Sequence, residues 1–253
     1  MTEPPSDALQ ELYERRAEAQ YAEPAPAPDP RRDRKFARLT ELLLAELPCE
    51  RLLDAGCGDG RYFGVLAHAK QPPGAVTATD ISERILVTAA AAARRDGLAV
   101  ELVRANLEEL PFPDGRFDLV FCSQVIEHLL DPGAGALELA RVLAPGGRLV
   151  LSTDNRRAHV SAVLNAPRQL AVRVLGLQER LHPVTFPHAT FGAGELATLL
   201  ADAGLRVRTL ESFRFHLQGI RRPLFLGLVS ALDRRLPRHR FGDILAVVAE
   251  KPA

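Results

Sequence analysis

The chain has 253 residues, of which 47% are hydrophobic, so it can bury one sizeable core and does not require a second full domain. Its 32 basic and 32 acidic residues cancel, which disfavours a nucleic-acid or acidic-membrane partner recruited by a global field. The three cysteines form no C-x-x-C pair, so we predict neither a disulfide framework nor a metal site.

The N-terminal residues predict a helical arm and an extended linker. Leu9, Leu12 and Tyr13 recur at helical spacing within residues 7–20, and prolines follow from Pro24 to Pro30. Tyr13 can close over a ligand, although disorder of this proline-rich segment is the favoured alternative. We expect residues 1–35 to form the arm and residues 36–253 the main domain. Without a signal-like segment or a run of roughly 18 apolar residues, a soluble cytoplasmic protein is expected.

Helices and strands alternate through the main domain. Helices are predicted over residues 33–47, 61–69, 82–96, 132–144 and 194–204. Strands are predicted over residues 52–54, 75–80, 100–104, 117–122, 148–153, 205–210 and 244–249. This alternation predicts an α/β fold with a mostly parallel sheet. Residues 155–192 and 213–240 leave the pattern, and we expect them to be substrate-side insertions.

The first strand opens into a glycine-rich loop, in which Gly56, Gly58 and Gly60 alternate between Asp54 and Arg61. Alternating glycines after a strand let the backbone approach a nucleoside-bearing ligand closely. The pattern differs from the dinucleotide fingerprint G-x-G-x-x-G, because Arg61 occupies the position of its third glycine. A pyrophosphate pocket for NAD is therefore disfavoured.

Two further strand ends carry side chains suited to a nucleoside. Asp80 ends the second strand about one βαβ repeat after the glycines, where a carboxylate can accept hydrogen bonds from both ribose hydroxyls. Asn106 and Leu107 follow the third strand, where an amide can read an adenine edge and an apolar side chain can cover its face. The ordered motifs therefore predict a nucleoside site at the carboxyl edge of the sheet.

Together these motifs resemble the class I S-adenosylmethionine-dependent methyltransferases over roughly residues 36–155, in particular the small-molecule group that includes the ubiquinone and menaquinone biosynthesis enzymes. The resemblance implies a doubly wound, Rossmann-like sheet of seven strands and S-adenosyl-L-methionine as cofactor. The cofactor-binding residues that it implies are Asp54, Gly56, Cys57, Gly58, Asp80, Ile81, Asn106, Leu107 and Ser123. The family usually has aspartate where this chain has Asn106, whose carbonyl can still accept a hydrogen bond from an exocyclic amine.

Residues that act on the methyl acceptor are less sharply defined. A base is needed only if the nucleophile arrives protonated, and His128 is the first candidate because imidazole exchanges a proton near neutral pH. A structural role for His128 is an equal alternative. Asn155 and Arg156, after the fifth strand, are candidates for acceptor binding, with a solvated turn as the alternative. His182 and His188, in the insertion, are further candidates, with packing roles as the alternative.

The leading functional hypothesis is methyl transfer to an O, N or C atom of a small biosynthetic metabolite, with the apolar insertion favouring a hydrophobic acceptor. A non-catalytic cofactor-binding relative acting as a partner subunit is one alternative. A nicotinamide-dependent oxidoreductase is another, disfavoured by Arg61. Nucleic-acid methylation lacks the Asn/Asp-Pro-Pro-aromatic motif that holds a flipped base. The arginines of residues 221–240 could support peripheral contact with lipid or with a hydrophobic acceptor, although a helix packed on its own core is the favoured alternative. The oligomeric state is not predicted.

Overall fold

A computed structural model describes residues 33–156, 188–213 and 242–253, together with Glu11, Tyr13 and Glu14. Most of the predicted arm and linker, and most of the two predicted insertions, lie outside these residues. The division into residues 1–35 and 36–253, with insertions over 155–192 and 213–240, therefore stays a prediction.

Five α-helices and seven strands make up the described part of the chain. The helices are α1 (Arg34–Ala45), α2 (Phe63–Ala67), α3 (Glu83–Asp96), α4 (Pro132–Val142) and α5 (Ala193–Asp202). The strands are β1 (Arg51–Ala55), β2 (Ala75–Asp80), β3 (Val100–Arg104), β4 (Phe117–Ser123), β5 (Leu143–Asp154), β6 (Arg206–Phe213) and β7 (Ile244–Glu250). A 3-10 turn, Ile126–His128, follows β4. No helix in the described ranges is both long enough and apolar enough to cross a membrane.

The sheet has the order β3-β2-β1-β4-β5-β7-β6, with β1 to β5 parallel and β7 antiparallel to both of its neighbours. The predicted α/β fold with a seven-stranded, mostly parallel sheet is confirmed. The order changes direction between β1 and β4, and such a switch point leaves a crevice outside the carboxyl ends of the strands. A ligand site is expected at that edge.

Helices cover both faces of the sheet, because neighbouring residues of a strand point to opposite sides. Leu52 packs with Phe36 and Leu39 on the side of α1, and Leu53 packs with Leu139 on the side of α4 and α5. All five of these leucine and phenylalanine side chains are buried. Strand β1, from which the glycine-rich loop starts, is therefore held from both faces of the sheet.

Side-chain caps fix where the helices next to the crevice begin. Asp33 accepts a hydrogen bond from the Phe36 amide at 2.9 Å, and Ser82 accepts one from the Ile85 amide at 3.2 Å. Such a cap contributes typically about 1 kcal/mol to stability. The cap at Asp33 sets the first turn of α1, which carries Lys35 to the edge of the sheet.

Candidate functional site

A cavity of about 380 Å³ lies at the carboxyl edge of the sheet, beside the switch point. All nine residues predicted to bind a cofactor line it: Asp54, Gly56, Cys57, Gly58, Asp80, Ile81, Asn106, Leu107 and Ser123. His128 and His188 line it as well. The fold therefore brings together side chains that the sequence spreads over more than half of the chain.

The glycine loop forms one wall of the cavity. The amides of Gly56 and Cys57 both donate to the Thr79 carbonyl, at 2.9 and 2.8 Å, which ties the loop to the end of β2. A Cβ on Gly56 would lie 2.4 Å from a methyl carbon of Val125, whereas a Cβ on Gly58 would meet nothing within 4 Å. The backbone at Gly58 is therefore open to a ligand.

Asp80 joins the glycine loop to the beginning of α3. One carboxylate oxygen accepts from the Gly58 amide at 3.1 Å, and the other accepts from the Ser82 amide at 3.0 Å. Burial raises the pKa of Asp80 to about 6, although its backbone hydrogen bonds oppose that shift. Each oxygen keeps a lone pair, so the carboxylate can still accept hydrogen bonds from a ligand.

Asp54 is buried at the end of β1, and its Oδ2 atom has no hydrogen-bond partner among the described residues. Burial raises the pKa of this carboxyl to about 7, and the nearby charge of Asp80 adds to the shift. A buried carboxylate without a partner is costly, so a cationic or hydrogen-donating ligand group would lower its energy. Asp54 therefore marks a position in the cavity wall for such a group.

Gln124 offers an unpartnered hydrogen-bond donor, whereas Asp54 offers an unpartnered acceptor. Its Nε2 atom is buried without a hydrogen-bond partner in the described part of the chain, while its Oε1 atom accepts from Lys35 Nζ at 3.4 Å. The contact with Lys35 orients the amide so that its two N–H groups are available. Lys35 and Gln124 both line the cavity, which gives this wall a cation beside an unused donor.

Two histidines meet on the opposite side of the cavity. His188 Nε2 lies 3.1 Å from Asp154 Oδ2 at the end of β5. The ring of His128 lies 5.2 Å from the ring of His188 and 6.4 Å from the ring of Tyr13, measured between centroids. Asp154, at the end of β5, is thus connected to the cavity lining through this histidine pair.

Glu127 lies buried behind this pair. Its Oε2 atom accepts a hydrogen bond from Thr153 Oγ1 at 2.9 Å. Burial raises the pKa of Glu127 to about 7, and the charge of Asp154 acts in the same direction. Glu127 also lines the cavity, which therefore holds a third buried carboxyl with a raised pKa.

Glu14 and Tyr13 bring the N-terminal arm to the site. Glu14 accepts hydrogen bonds from the Glu83 amide at 2.7 Å and from Ser82 Oγ at 3.0 Å, so its negative charge lies at the beginning of α3. Tyr13 lines the cavity next to His128. These two adjacent residues thus contact the rest of the described chain at the beginning of α3 and beside His128.

Comparison with known proteins assigns the family. A family model described as "Methyltransferase domain" matches residues 53–151. The ubiquinone biosynthesis O-methyltransferase of Thiobacillus denitrificans is 34% identical over 178 residues, which cover 68% of this chain and 71% of that enzyme. The chain belongs to the class I S-adenosylmethionine-dependent methyltransferases. The predicted family is therefore confirmed.

Two further methyltransferases define the extent of the likeness. The ubiquinone biosynthesis O-methyltransferase of Parvibaculum lavamentivorans is 31% identical over 168 residues, and the match spans 66% of this chain but only 62% of that enzyme. An S-adenosylmethionine-dependent methyltransferase of Mesorhizobium loti is 21% identical, with a TM-score of 0.61 over 88% of this chain and 100% of that chain. At that identity the second likeness concerns the fold alone.

The cavity fits the cofactor of this methyltransferase family, S-adenosylmethionine, in its donor and acceptor groups. An amino-acid end requires an acceptor for its ammonium group and donors for its carboxylate. Asp54 Oδ2 and Gln124 Nε2 are an acceptor and a donor among the buried, unpartnered side-chain atoms of the described lining residues, which also include Arg61 Nε and Tyr62 OH. Asn106 differs from expectation in one respect. Its Oδ1 atom already accepts from the Glu108 amide at 3.1 Å, so one lone pair and the side-chain NH₂ group remain for a base.

Two residues expected to bind the acceptor have other partners and are not among the described residues that line the cavity. The Asn155 side chain donates to the Gly242 carbonyl at 2.7 Å. Arg156 contacts Glu195 at 2.5 Å and the Thr190 carbonyl at 2.6 Å. His182 lies outside the described residues. No group of three or more potential metal-ligating side chains is found in the described ranges.

Sequence reasoning missed Lys35 and Gln124 and treated Glu127 only as the neighbour of His128. Lys35 belongs to a helix that precedes the first motif, and nothing local in the sequence places it at the cavity. Gln124 has a backbone φ of +59°, a value that residues other than glycine, asparagine and aspartate seldom adopt. The available signal was the polar pair Ser123-Gln124 directly after a buried strand, at the edge where ligands bind.

Proposed function

We propose that this chain transfers a methyl group from S-adenosylmethionine to a nucleophilic atom of a small biosynthetic metabolite with a hydrophobic part. The observation that carries the proposal is the unpartnered Asp54 carboxylate oxygen, set beside the open backbone of Gly58 in one cavity. Two relatives are named ubiquinone biosynthesis O-methyltransferases, which supports an acceptor of the quinone-precursor type. The three unpaired cysteines are compatible with the reducing cytoplasm proposed for the enzyme.

In this proposal the two charged groups at the amino-acid end of the cofactor are held by opposite chemistry. Asp54 accepts from the ammonium group, while Gln124 Nε2 and the Lys35 ammonium face the carboxylate. Asp80 accepts from the ribose hydroxyls, next to Ile81. Asn106 and Leu107 take the edge and the face of the adenine. Gly56, Cys57, Gly58 and Ser123 complete the wall.

The protein's contribution to methyl transfer is then mainly positional. The sulfonium supplies an activated methyl group, so the chain has to hold the acceptor in line with it and keep water out. The acceptor would enter between Tyr13, His128 and His188, whose rings lie close together in the cavity lining. His182 stays a candidate for acceptor binding.

Titration calorimetry with S-adenosylmethionine, S-adenosylhomocysteine and NAD tests the proposal directly. We expect saturable binding of both sulfur nucleosides and none of NAD, because Arg61 replaces the glycine that a pyrophosphate needs. Release of S-adenosylhomocysteine during a screen of hydroxyl, amine and carbon acceptors then distinguishes an enzyme from a non-catalytic relative. Binding of NAD alone would refute the proposal.

A further inference from the structure

The contact between Asp154 and His188 selects one tautomer of a neutral His188 ring, which is one of the two cavity histidines. Asp154 Oδ2 lies 3.1 Å from His188 Nε2, and a carboxylate can only accept at that distance. The Nε2 atom of a neutral His188 therefore carries the hydrogen, which leaves the lone pair on Nδ1. A ring oriented in this way by a carboxylate is the arrangement of a general base.

Backbone hydrogen bonds hold the residues that follow His188, from Ala189 to Phe191, against neighbouring parts of the fold. The Ala189 amide donates to the Glu127 carbonyl at 2.7 Å, and the Phe191 amide donates to the Asp154 carbonyl at 3.2 Å. The Arg156 amide donates to the Phe191 carbonyl at 2.9 Å, and its guanidinium holds the Thr190 carbonyl. The backbone that directly follows His188 is thus held by Glu127, Asp154 and Arg156, which fixes the position from which the His188 side chain reaches the cavity.

We propose that His188 is the general base of this enzyme, that Asp154 and Arg156 are its positioning residues, and that the acceptor presents a phenolic hydroxyl group. The inference rests on the proposed function. A base is useful only for a nucleophile that arrives protonated, and a neutral amine can attack without one. Among hydroxyls, a phenol ionises near pKa 10, as tyrosine does, which is within reach of an imidazole.

The step balances without a further reactant. The acceptor hydroxyl gives its proton to His188 Nδ1 while its oxygen forms a bond to the methyl carbon. The bond between that carbon and sulfur breaks, and its electron pair stays on sulfur as a neutral thioether. The positive charge moves from the sulfonium to the imidazolium, where the Asp154 carboxylate compensates it. His188 is partly exposed, so it can return the proton to solvent.

The first test needs no acceptor. Nitrogen-15 NMR of the imidazole rings, with His188 assigned by its loss in His188→Gln, reports which nitrogen of the neutral ring carries hydrogen. We expect the Nε2–H tautomer in the full chain and a mixture of tautomers in Asp154→Ala. A predominant Nδ1–H tautomer in the unsubstituted protein would overturn the assignment.

The second test separates a base from a residue that only shapes the cavity. Catechol keeps its protons in a neutral buffer, whereas 4-nitrocatechol is largely ionised there and needs no base. His188→Gln should lower kcat for catechol by about 10²–10⁴-fold and kcat for 4-nitrocatechol far less. Its affinity for S-adenosylhomocysteine should stay that of the parent protein. Equal losses of kcat with both catechols would overturn the role of base.

A control variant and a third acceptor complete these two tests of His188. His68→Gln changes an exposed histidine whose Nδ1 contacts the Gly64 carbonyl at 2.9 Å, and it should behave as the parent protein. A parent protein that methylates aniline and neither catechol would overturn the phenolic class. Absence of S-adenosylhomocysteine binding in the parent would instead refute the proposed function, while the tautomer measurement would still decide the geometry.

Discussion

The backbone of Gln124 has a φ of +59°, and it is the one non-glycine residue in the described ranges with a positive φ. That conformation costs an amino acid with a Cβ about 1 kcal/mol or more. This conformation directs the chain from β4 into the turn at Ile126–His128. The backbone amide of Gln124 donates a hydrogen bond to the Ser152 carbonyl at 2.9 Å. Strain at this point coincides with an unused donor in the cavity wall.

Gln124→Ala and Gln124→Gly separate these two roles. Both variants lose the side-chain amide, so both should bind S-adenosylhomocysteine more weakly, by roughly tenfold for one hydrogen bond to a charged group. Only glycine relieves the backbone, so Gln124→Gly should be more stable than Gln124→Ala by about 1 kcal/mol. Denaturant unfolding and calorimetry measure the two effects. Unchanged affinity in both folded variants would remove Gln124 from the site.

Asp80→Ala and Asp80→Asn test the ribose assignment. We expect Asp80→Ala to weaken S-adenosylhomocysteine binding about 10–100-fold, since hydrogen bonds to a charged group contribute about 1.5–3 kcal/mol. Asp80→Asn keeps one acceptor for the Gly58 or Ser82 amide and should lose less. Circular dichroism controls for folding. A folded Asp80→Ala with parental affinity would show that this carboxylate does not bind the ligand.

At the scale of the element, the glycine loop and the turn within β5 offer a matched comparison. Gly58 and Gly146 both have positive φ values, +55° and +76°, and a Cβ on either would meet nothing within 4 Å. Only Gly58 lines the cavity. The two positions therefore share the backbone requirement and differ in the proposed contact with cofactor.

Gly58→Ala and Gly146→Ala should lose similar stability, about 1 kcal/mol each, because alanine disfavours the left-handed region. Only Gly58→Ala should lose affinity for S-adenosylhomocysteine, by at least about tenfold, since the new methyl group occupies space that the ligand needs. Thermal unfolding and calorimetry on both variants measure this. Parallel losses of affinity at the two positions would point to a general effect of strain.

The elements show what the sequence can and cannot predict. The predicted bounds of β2 and β3 are confirmed; both strands are rich in β-branched residues and end at a charged residue, Asp80 and Arg104. The start of β5 was predicted at Arg148, but the strand begins at Leu143. Leu143 pairs with Phe117 ahead of a register shift, so the Pro-Gly-Gly sequence bends the strand rather than preceding it. Turn residues alone do not reveal such a pairing.

In the site as well, residues that follow local sequence patterns were predictable, whereas contacts between residues far apart in the sequence were not. Asp54, Gly56, Gly58 and Asp80 were predictable, because each follows a strand and strand ends meet at one edge of the sheet. The contacts of Lys35 with Gln124 and of Asp154 with His188 join residues that are far apart in the sequence. They depend on how a helix and an insertion return to that edge, which periodicity does not encode.

At the scale of the whole molecule, three cavity carboxyls with raised pKa values, two of them fully buried, make the unliganded protein sensitive to pH. The pKa is raised to about 7 for Asp54 and Glu127 and to about 6 for Asp80, from ordinary values of 3.8 to 4.5. Each raised pKa means that the folded state holds its proton more tightly than the unfolded state. The resulting stability is present below about pH 4 and is lost as the pH rises to about 7.

Thermal unfolding of the unliganded protein should therefore show a Tm that falls between about pH 4 and about pH 7. Asp54→Asn removes one of the three charges and should flatten this slope. Saturating S-adenosylmethionine should flatten it as well in the parent protein, because the ammonium group compensates Asp54, but not in Asp54→Asn. A slope that Asp54→Asn leaves unchanged would contradict the burial of an unpaired charge there.

The described residues on either side of positions 157–187 are held in place, Asn155 by its contact with Gly242 and Arg156 by its contact with Thr190. The proposed cofactor-binding residues all precede these positions, within residues 35–124. Under the proposed function, positions 157–187 belong to an acceptor-binding insertion, so evolution can exchange them, and with them the acceptor, while the residues proposed to bind the methyl donor are inherited intact. New acceptors become accessible to such a scaffold without the loss of an already functioning cofactor site.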